Sequence, residues 1–141
     1  MMQQLISRTL AACVGMSLLA TFLGCQTLLT SDTQSIYVSG LTFQNIASDD
    51  AQNVRLRAIS TNGQVSCNKI EVNSTCGTGF PAKYYQAGEF ELSWQMAGRS
   101  YAEHFVIPIP TDAEKNQRYT AVVLFTNNGQ YDVRLTKNNI L

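Results

Sequence analysis

The sequence predicts an antiparallel β-sandwich of the immunoglobulin-like kind, with seven or eight strands; a small β-barrel is the runner-up. Three observations predict it. From Ile36 onward apolar and polar residues alternate with a period of two, turn-forming pairs punctuate that alternation, and only Thr111 to Gln117 reads as a helical turn.

The strands expected are 36–44, 53–60, 64–72, 82–86, 88–97, 100–108, 119–126 and 130–136. Glu89 to Met96 is the clearest, with Phe90, Leu92, Trp94 and Met96 on one face and Glu91, Ser93 and Gln95 on the other. Val54, Leu56 and Ala58 alternate with Arg55 and Arg57, and Tyr131, Val133 and Leu135 with Asp132 and Arg134, as half-buried strands do. Ala121-Val122-Val123-Leu124-Phe125 is apolar on both faces and belongs at the centre of a sheet or beneath a covering element. Asn62-Gly63 and Asn128-Gly129 favour the positive φ of type I′ hairpin turns, and Gly98-Arg99 closes a third hairpin. Pro108 and Pro110 end a strand because neither can donate to a ladder. Asp112 or Thr111 is placed to cap the helical turn that follows, and Tyr119 then sits where sandwiches place a tyrosine corner.

Ahead of this domain lies a segment of different character. Met1 to Arg8 carries one charged side chain, Arg8, and Thr9 to Leu23 carries none. That uncharged run is shorter than the roughly 20 residues that span a bilayer, yet it suits the apolar stretch of an export signal. The run ends in Phe22-Leu23-Gly24-Cys25 and so resembles the signal of bacterial lipoproteins, whose cysteine becomes the acylated first residue of the mature chain. Leu10-Ala11-Ala12-Cys13 matches the local pattern more closely, but cleavage there would leave no apolar run before it. Phe22 and Leu23 depart from the family, which prefers Leu and a smaller residue at those positions. Ordinary secretory cleavage and an uncleaved anchor are the competing readings.

The resemblance implies a division into a signal over 1–24, a lipid-attached tether over 25–35 and a sandwich over 36–141. The tether, ten residues of flexible coil after Cys25, reaches about 17 Å. Several acyl chains on one residue hold firmly where a single chain binds only marginally. Gln26, rather than Asp, follows the cysteine. By the same resemblance, this places the lipid in the outer membrane with the domain facing the periplasm.

Removing 24 of 141 residues leaves 117, one domain's worth. It removes one of ten basic residues and none of ten acidic ones, for a net side-chain charge of −1. That excludes a basic field for nucleic acid and any polybasic reinforcement of the lipid. Cys67 and Cys76 remain as a pair, which an oxidising compartment closes into a disulfide. A metal site would need more ligands than these and His104 offer, and no cofactor is called for.

Candidate sites are few. Cys67 to Pro81 reads as a long disulfide-braced loop, and Phe80, Tyr84 and Tyr85 beside it form a candidate docking surface. Because strand neighbours face opposite ways, one of the two tyrosines is expected to be exposed. His104 lacks a nucleophile motif, and its neighbour Glu103 faces away from it. Asp49-Asp50 lacks the spaced oxygens that calcium needs, and Glu89 with Glu91 lie on one strand face, where they cannot flank a glycosidic bond. The expected function is therefore non-catalytic: a membrane-anchored binding or assembly partner of an envelope protein. The alternatives are a carbohydrate or peptidoglycan-binding module built on Tyr84, Tyr85, Tyr101 and Trp94, and a hydrolase centred on His104.

Overall fold

A computed structural model describes residues 34–139, and the proposed signal, Cys25 and most of the tether lie outside them. The described residues fold into nine strands: β1 Ile36–Asn45, β2 Ala51–Ala58, β3 Gln64–Ile70, β4 Ser74–Thr78, β5 Tyr84–Tyr85, β6 Glu89–Met96, β7 Arg99–Val106, β8 Arg118–Phe125 and β9 Tyr131–Lys137. One sheet runs β4-β1-β8-β9, with β5 also pairing β1, and the other runs β3-β2-β6-β7. The architecture is a β-sandwich. It is not wholly antiparallel, because β1 and β8 pair in parallel from Tyr37↔Arg118 to Asn45↔Phe125.

The period of two does what the pattern demands. In β6 the four apolar residues are buried between the sheets, and in β2 Val54, Leu56 and Ala58 are buried as well. β8 takes the central place its apolar character requires, between β1 and β9, with Ala121, Val123 and Phe125 inward and Val122 and Leu124 half-exposed on the outer face. Phe125 packs across the gap against Trp94, ring centroids 5.4 Å apart, and lies parallel to Phe43 at 6.2 Å. Burying such large rings is the main source of cohesion, at about 25 cal/mol for each Å² removed from water.

Several local expectations are corrected. Residues 67–81 are not one long loop: β3 ends at Ile70, a short turn follows, and β4 begins at Ser74 and pairs with β1. β4 contains Ser, Thr, Cys and Gly with no large apolar residue, so nothing in its composition gives an alternating pattern. The Thr111–Gln117 segment makes turns instead of a helix, closed by Ala113 N–H to Pro110 O and Gln117 N–H to Glu114 O. In the β6–β7 turn the positive φ angles fall on Ala97 and Gly98, one residue earlier than expected. Asn128 and Gly129 both take positive φ as predicted for their hairpin, but at Asn62-Gly63 only Asn62 does.

The two flanks of the sandwich are closed differently. Cys67 on β3 bonds Cys76 on β4, and because these are edge strands of opposite sheets, the disulfide ties sheet to sheet. Asn45 reinforces that flank. Fully buried at the end of β1, its Nδ2 donates to Ile70 O of β3 and to Asp49 O, while its Oδ1 accepts from Ala47 N–H. On the opposite flank β9 packs on the other sheet through Tyr131, whose ring lies 5.7 Å from the partly buried Phe105 of β7 and 5.5 Å from the buried Trp94 of β6. Among the described residues the nine strands, the core and the disulfide fall within 36–137, and Asn138 continues the β8–β9 ladder, its N–H donating to Arg118 O.

Replacing Cys67 and Cys76 by Ser should leave the fold intact and lower its stability by about 2.5–3 kcal/mol, the loop-closure entropy of so short a ring, in urea unfolding. Asn45→Ala should cost about 2–3 kcal/mol in the same assay, because it orphans buried backbone groups of Ala47 and Ile70.

Candidate functional site

The expected docking surface does not assemble. Tyr85 is 1% exposed and Phe80 9%, with the Phe80 ring edge-on to Tyr85 at 5.9 Å and tilted on Phe90 at 5.3 Å. Both close the end of the core where β1, β6 and β8 begin and β7 ends. The Tyr85 hydroxyl accepts from Ile107 N–H and donates to Ile107 O, each at 2.8 Å. Burial pushes its phenol up to about 12 against the lowering effect of that hydrogen bond. Only Tyr84 of the three is a surface residue, at 72% exposure.

Nor do the four aromatics of the glycan reading form a platform. Trp94 is 1% exposed, lying flat on the Tyr101 ring at 5.0 Å. The aromatic neighbour of exposed Tyr84 is Tyr37, tilted by 58°, so the two do not present one plane. A sugar face needs coplanar exposed rings, and these positions do not offer them.

His104 acquires partners that its sequence neighbours could not supply. Its Nδ1 lies 2.9 Å from Glu89 Oε1 and its Nε2 3.1 Å from Glu91 Oε2, both across the β6–β7 ladder. Glu91 in turn meets Arg57 of β2 at 3.3 Å, so a charged row crosses three strands on the outer face of the sheet. Hydrogen bonding to Glu89 is the largest effect on the imidazole; desolvation opposes it, and the Glu91 bond with the charges of both carboxylates adds to it, so the ring is held above its ordinary value. Both ring nitrogens are engaged, and the ring is half-exposed on an open face.

The Asp49-Asp50 pair is likewise accounted for. Asp50 accepts from Val72 N–H and pairs with Lys69 at 3.1 Å, which lowers its carboxyl below the usual range. Among the described residues no group of three or more His, Cys, Asp or Glu side chains is arranged to hold a metal ion. Tyr119 does form the expected corner, its hydroxyl accepting from Glu114 N–H at 3.1 Å.

What remains are surfaces that sequence reasoning missed. A cleft of about 540 Å³ opens beneath the β2–β3 turn, lined by Ala58, Ser60, Thr61, Pro81, Ala82 and Tyr84 among others. None of its hydroxyls hydrogen-bonds to His104, whose nitrogens are both taken by carboxylates. The open flank is the second. β9 is an edge strand whose inward row, Tyr131, Val133 and Leu135, is only partly buried, and a shallow groove lined by Glu103, Gln130, Tyr131 and Asp132 runs beside it. Strand order depends on distant pairing, so no local pattern marks β9 as an edge.

No family model matches the chain, and no curated protein does. A protein from Eubacterium rectale, solved by NMR, aligns over 73% of this chain and 92% of its own at 11% identity, with a TM-score of 0.43. A likeness of that size carries no argument about function.

The His104 row makes a pH prediction. A group whose folded pKa is raised contributes stability that is complete below the unfolded value, near 6.5, and is lost as pH rises through the folded value. Imidazole titration followed by NMR should therefore show an elevated pKa that falls in Glu89→Gln, and denaturation midpoints should decline as pH rises above about 6.5 in the native chain but less so in that variant.

Proposed function

We propose that this chain is an outer-membrane lipoprotein that presents its β-sandwich in the periplasm as a non-catalytic binding or assembly partner of an envelope protein. The observation that carries the reading is the inequality of the two flanks. Among the described residues β3, β4, β7 and β9 all have an outward edge without a ladder partner, but the flank of β3 and β4 is tied sheet to sheet by the Cys67–Cys76 bond, whereas that of β7 and β9 carries no such tie.

Of the two edges on the flank without the disulfide, β9 is the better acceptor for an added strand. β7 places the charged Glu103 in its inward row, opposite buried Leu92, and an inward charge at an edge discourages a further strand. β9 offers three consecutive apolar inward positions instead, with Asp132 and Arg134 outward. A partner strand would gain main-chain hydrogen bonds from β9 and apolar contact from Tyr131, Val133 and Leu135.

Two measurements test this. Chain purified from membranes should have the intact mass of a polypeptide beginning at Cys25 and carrying fatty acids, and a retained leader or an unacylated terminus would overturn the anchor. A photo-crosslinking residue at Arg134 should trap one specific envelope protein, while the same residue at Thr75, on the locked flank, should trap none; equal adducts at both positions, or none at either, would overturn the β9 interface.

A further inference from the structure

The strongest unexplained feature is a row of side chains across the outer face of the β1 sheet, at the end where the chain enters the domain. Backbone register sets it. Tyr84 of β5 faces Tyr37 of β1, and Tyr37 faces Arg118 of β8. The Tyr37 ring has Tyr84 5.7 Å away, Lys83 Nζ 5.8 Å from its centroid and the Arg118 guanidinium carbon 5.7 Å from it. Two cations thus share one aromatic ring, and Lys83, Tyr84 and Arg118 are all exposed. Cation–π attraction holds the charges on this face without neutralising them.

The charge is net positive locally, although the chain as a whole is not basic. Among the described residues neither Lys83 nor Arg118 makes an ion pair, while the acids at the same end are occupied: Asp112 and Glu114 by Lys137, and Glu89 by His104. The position matters as much as the charge. Tyr37 is the second residue of β1 and lies twelve residues after Cys25, so a lipid on that cysteine would keep this end of the sandwich within reach of the headgroups, about 17 Å for a flexible tether.

We infer that Tyr37, Tyr84, Lys83 and Arg118 form a docking face for anionic phospholipid headgroups, the cations meeting phosphate and the tyrosines settling at the interface. The inference rests on the anchored reading for its geometry. Tyrosine is suited to such a boundary, being apolar in its body and polar at its tip. Two basic groups bind a free vesicle weakly, but an anchor makes the contact intramolecular, so a weak face is sufficient to orient the domain.

The test uses the chain from Cys25 onward, in which Cys25 is the one thiol outside the disulfide. Coupling it to a maleimide lipid attaches the domain to a nanodisc of phosphatidylcholine with about 30% phosphatidylglycerol, whatever the natural processing, and gadolinium-chelate headgroups then broaden NMR signals near the bilayer. The amides of Tyr37, Lys83, Tyr84 and Arg118 should be broadened, and those of Ala97 to Arg99 and Asn127 to Gly129, at the far end, should not. Lys83→Gln with Arg118→Gln, both at exposed positions, should lower the docked-to-free ratio about 30-fold, and pure phosphatidylcholine should do the same. Equal broadening at both ends, or a double variant indistinguishable from the native chain, would overturn the docking face; so would capture of a protein by these residues in a domain that ignores the lipid. Because the coupling is chemical, a chain that lacks fatty acids in the cell refutes the anchor while leaving this readout to judge the face itself.

Discussion

The covalent bond between β3 and β4 decides which side of this sandwich is shut, and much of the remaining geometry follows from that choice. Two sheets pressed face to face by hydrophobic burial have no intrinsic reason to stay aligned at their edges. Here one edge pair is fastened by sulfur and by the Asn45 bonds, which reach from β1 to Ile70 of the other sheet. The disulfide acts chiefly by restricting the unfolded chain, whereas Asn45 acts in the folded state by satisfying backbone groups that would otherwise be buried bare. With that flank settled, β4 can consist of small polar residues that would not hold a strand by packing. The aromatic cluster of Trp94, Tyr101, Phe105 and Tyr131 suffices for the other flank, and it leaves the β9 backbone edge uncovered.

How much of this was legible varies with the range of the interaction that decides it. β2, β6 and β9 were readable because their apolar residues repeat at every second position, and β8 because its run is apolar on both faces; both are purely local signatures. The opposite facings of Tyr84 and Tyr85 followed from the same parity. β4 was invisible since Ser74 to Thr78 has no apolar alternation, and its strand character comes from pairing with β1. The parallel β1–β8 ladder joins residues some eighty positions apart, so no window of sequence contains it. Phe80 was misjudged for a related reason: it follows Gly79 in a stretch that reads as loop, and only the folded end of the core shows the gap its ring fills. The row Tyr84, Tyr37, Arg118 is similarly a product of register, and none of its members stands out singly.

His104 shows how a suggestive cluster resolves into a structural one. A lone histidine flanked by two glutamates has the ingredients of acid–base chemistry. A general base, however, needs a ring nitrogen free to reach a substrate proton, and it needs a site that excludes water. Here each nitrogen faces a carboxylate, and the ring lies on the outer face of a sheet with Arg57 completing the row. Opposite charges across neighbouring strands stabilise pairing and discourage register slips, which is reason enough for residues of these types at these positions. The elevated imidazole pKa follows from that pairing.

The β9 edge and the Tyr37–Arg118 row are compatible as contact surfaces because they occupy different directions of the same body. The strands run along the length of the sandwich, and the Tyr37–Arg118 row lies at the end from which β1 and β8 depart. A domain resting on lipid through that end stands its strands away from the membrane. β9, seven residues long, then projects about 23 Å of unpaired edge into the space beyond the headgroups. A strand paired toward Tyr131, at the end of β9 away from Arg118, would stand clear of the lipid, and the partner would be held at a fixed height and orientation. Docking at the tether end also reduces the rotational freedom that a flexible linker would otherwise leave, so less entropy is lost when the partner binds. An anchored domain with a free edge and a weak lipid contact is thus better suited to presenting a strand than one that tumbles on its tether.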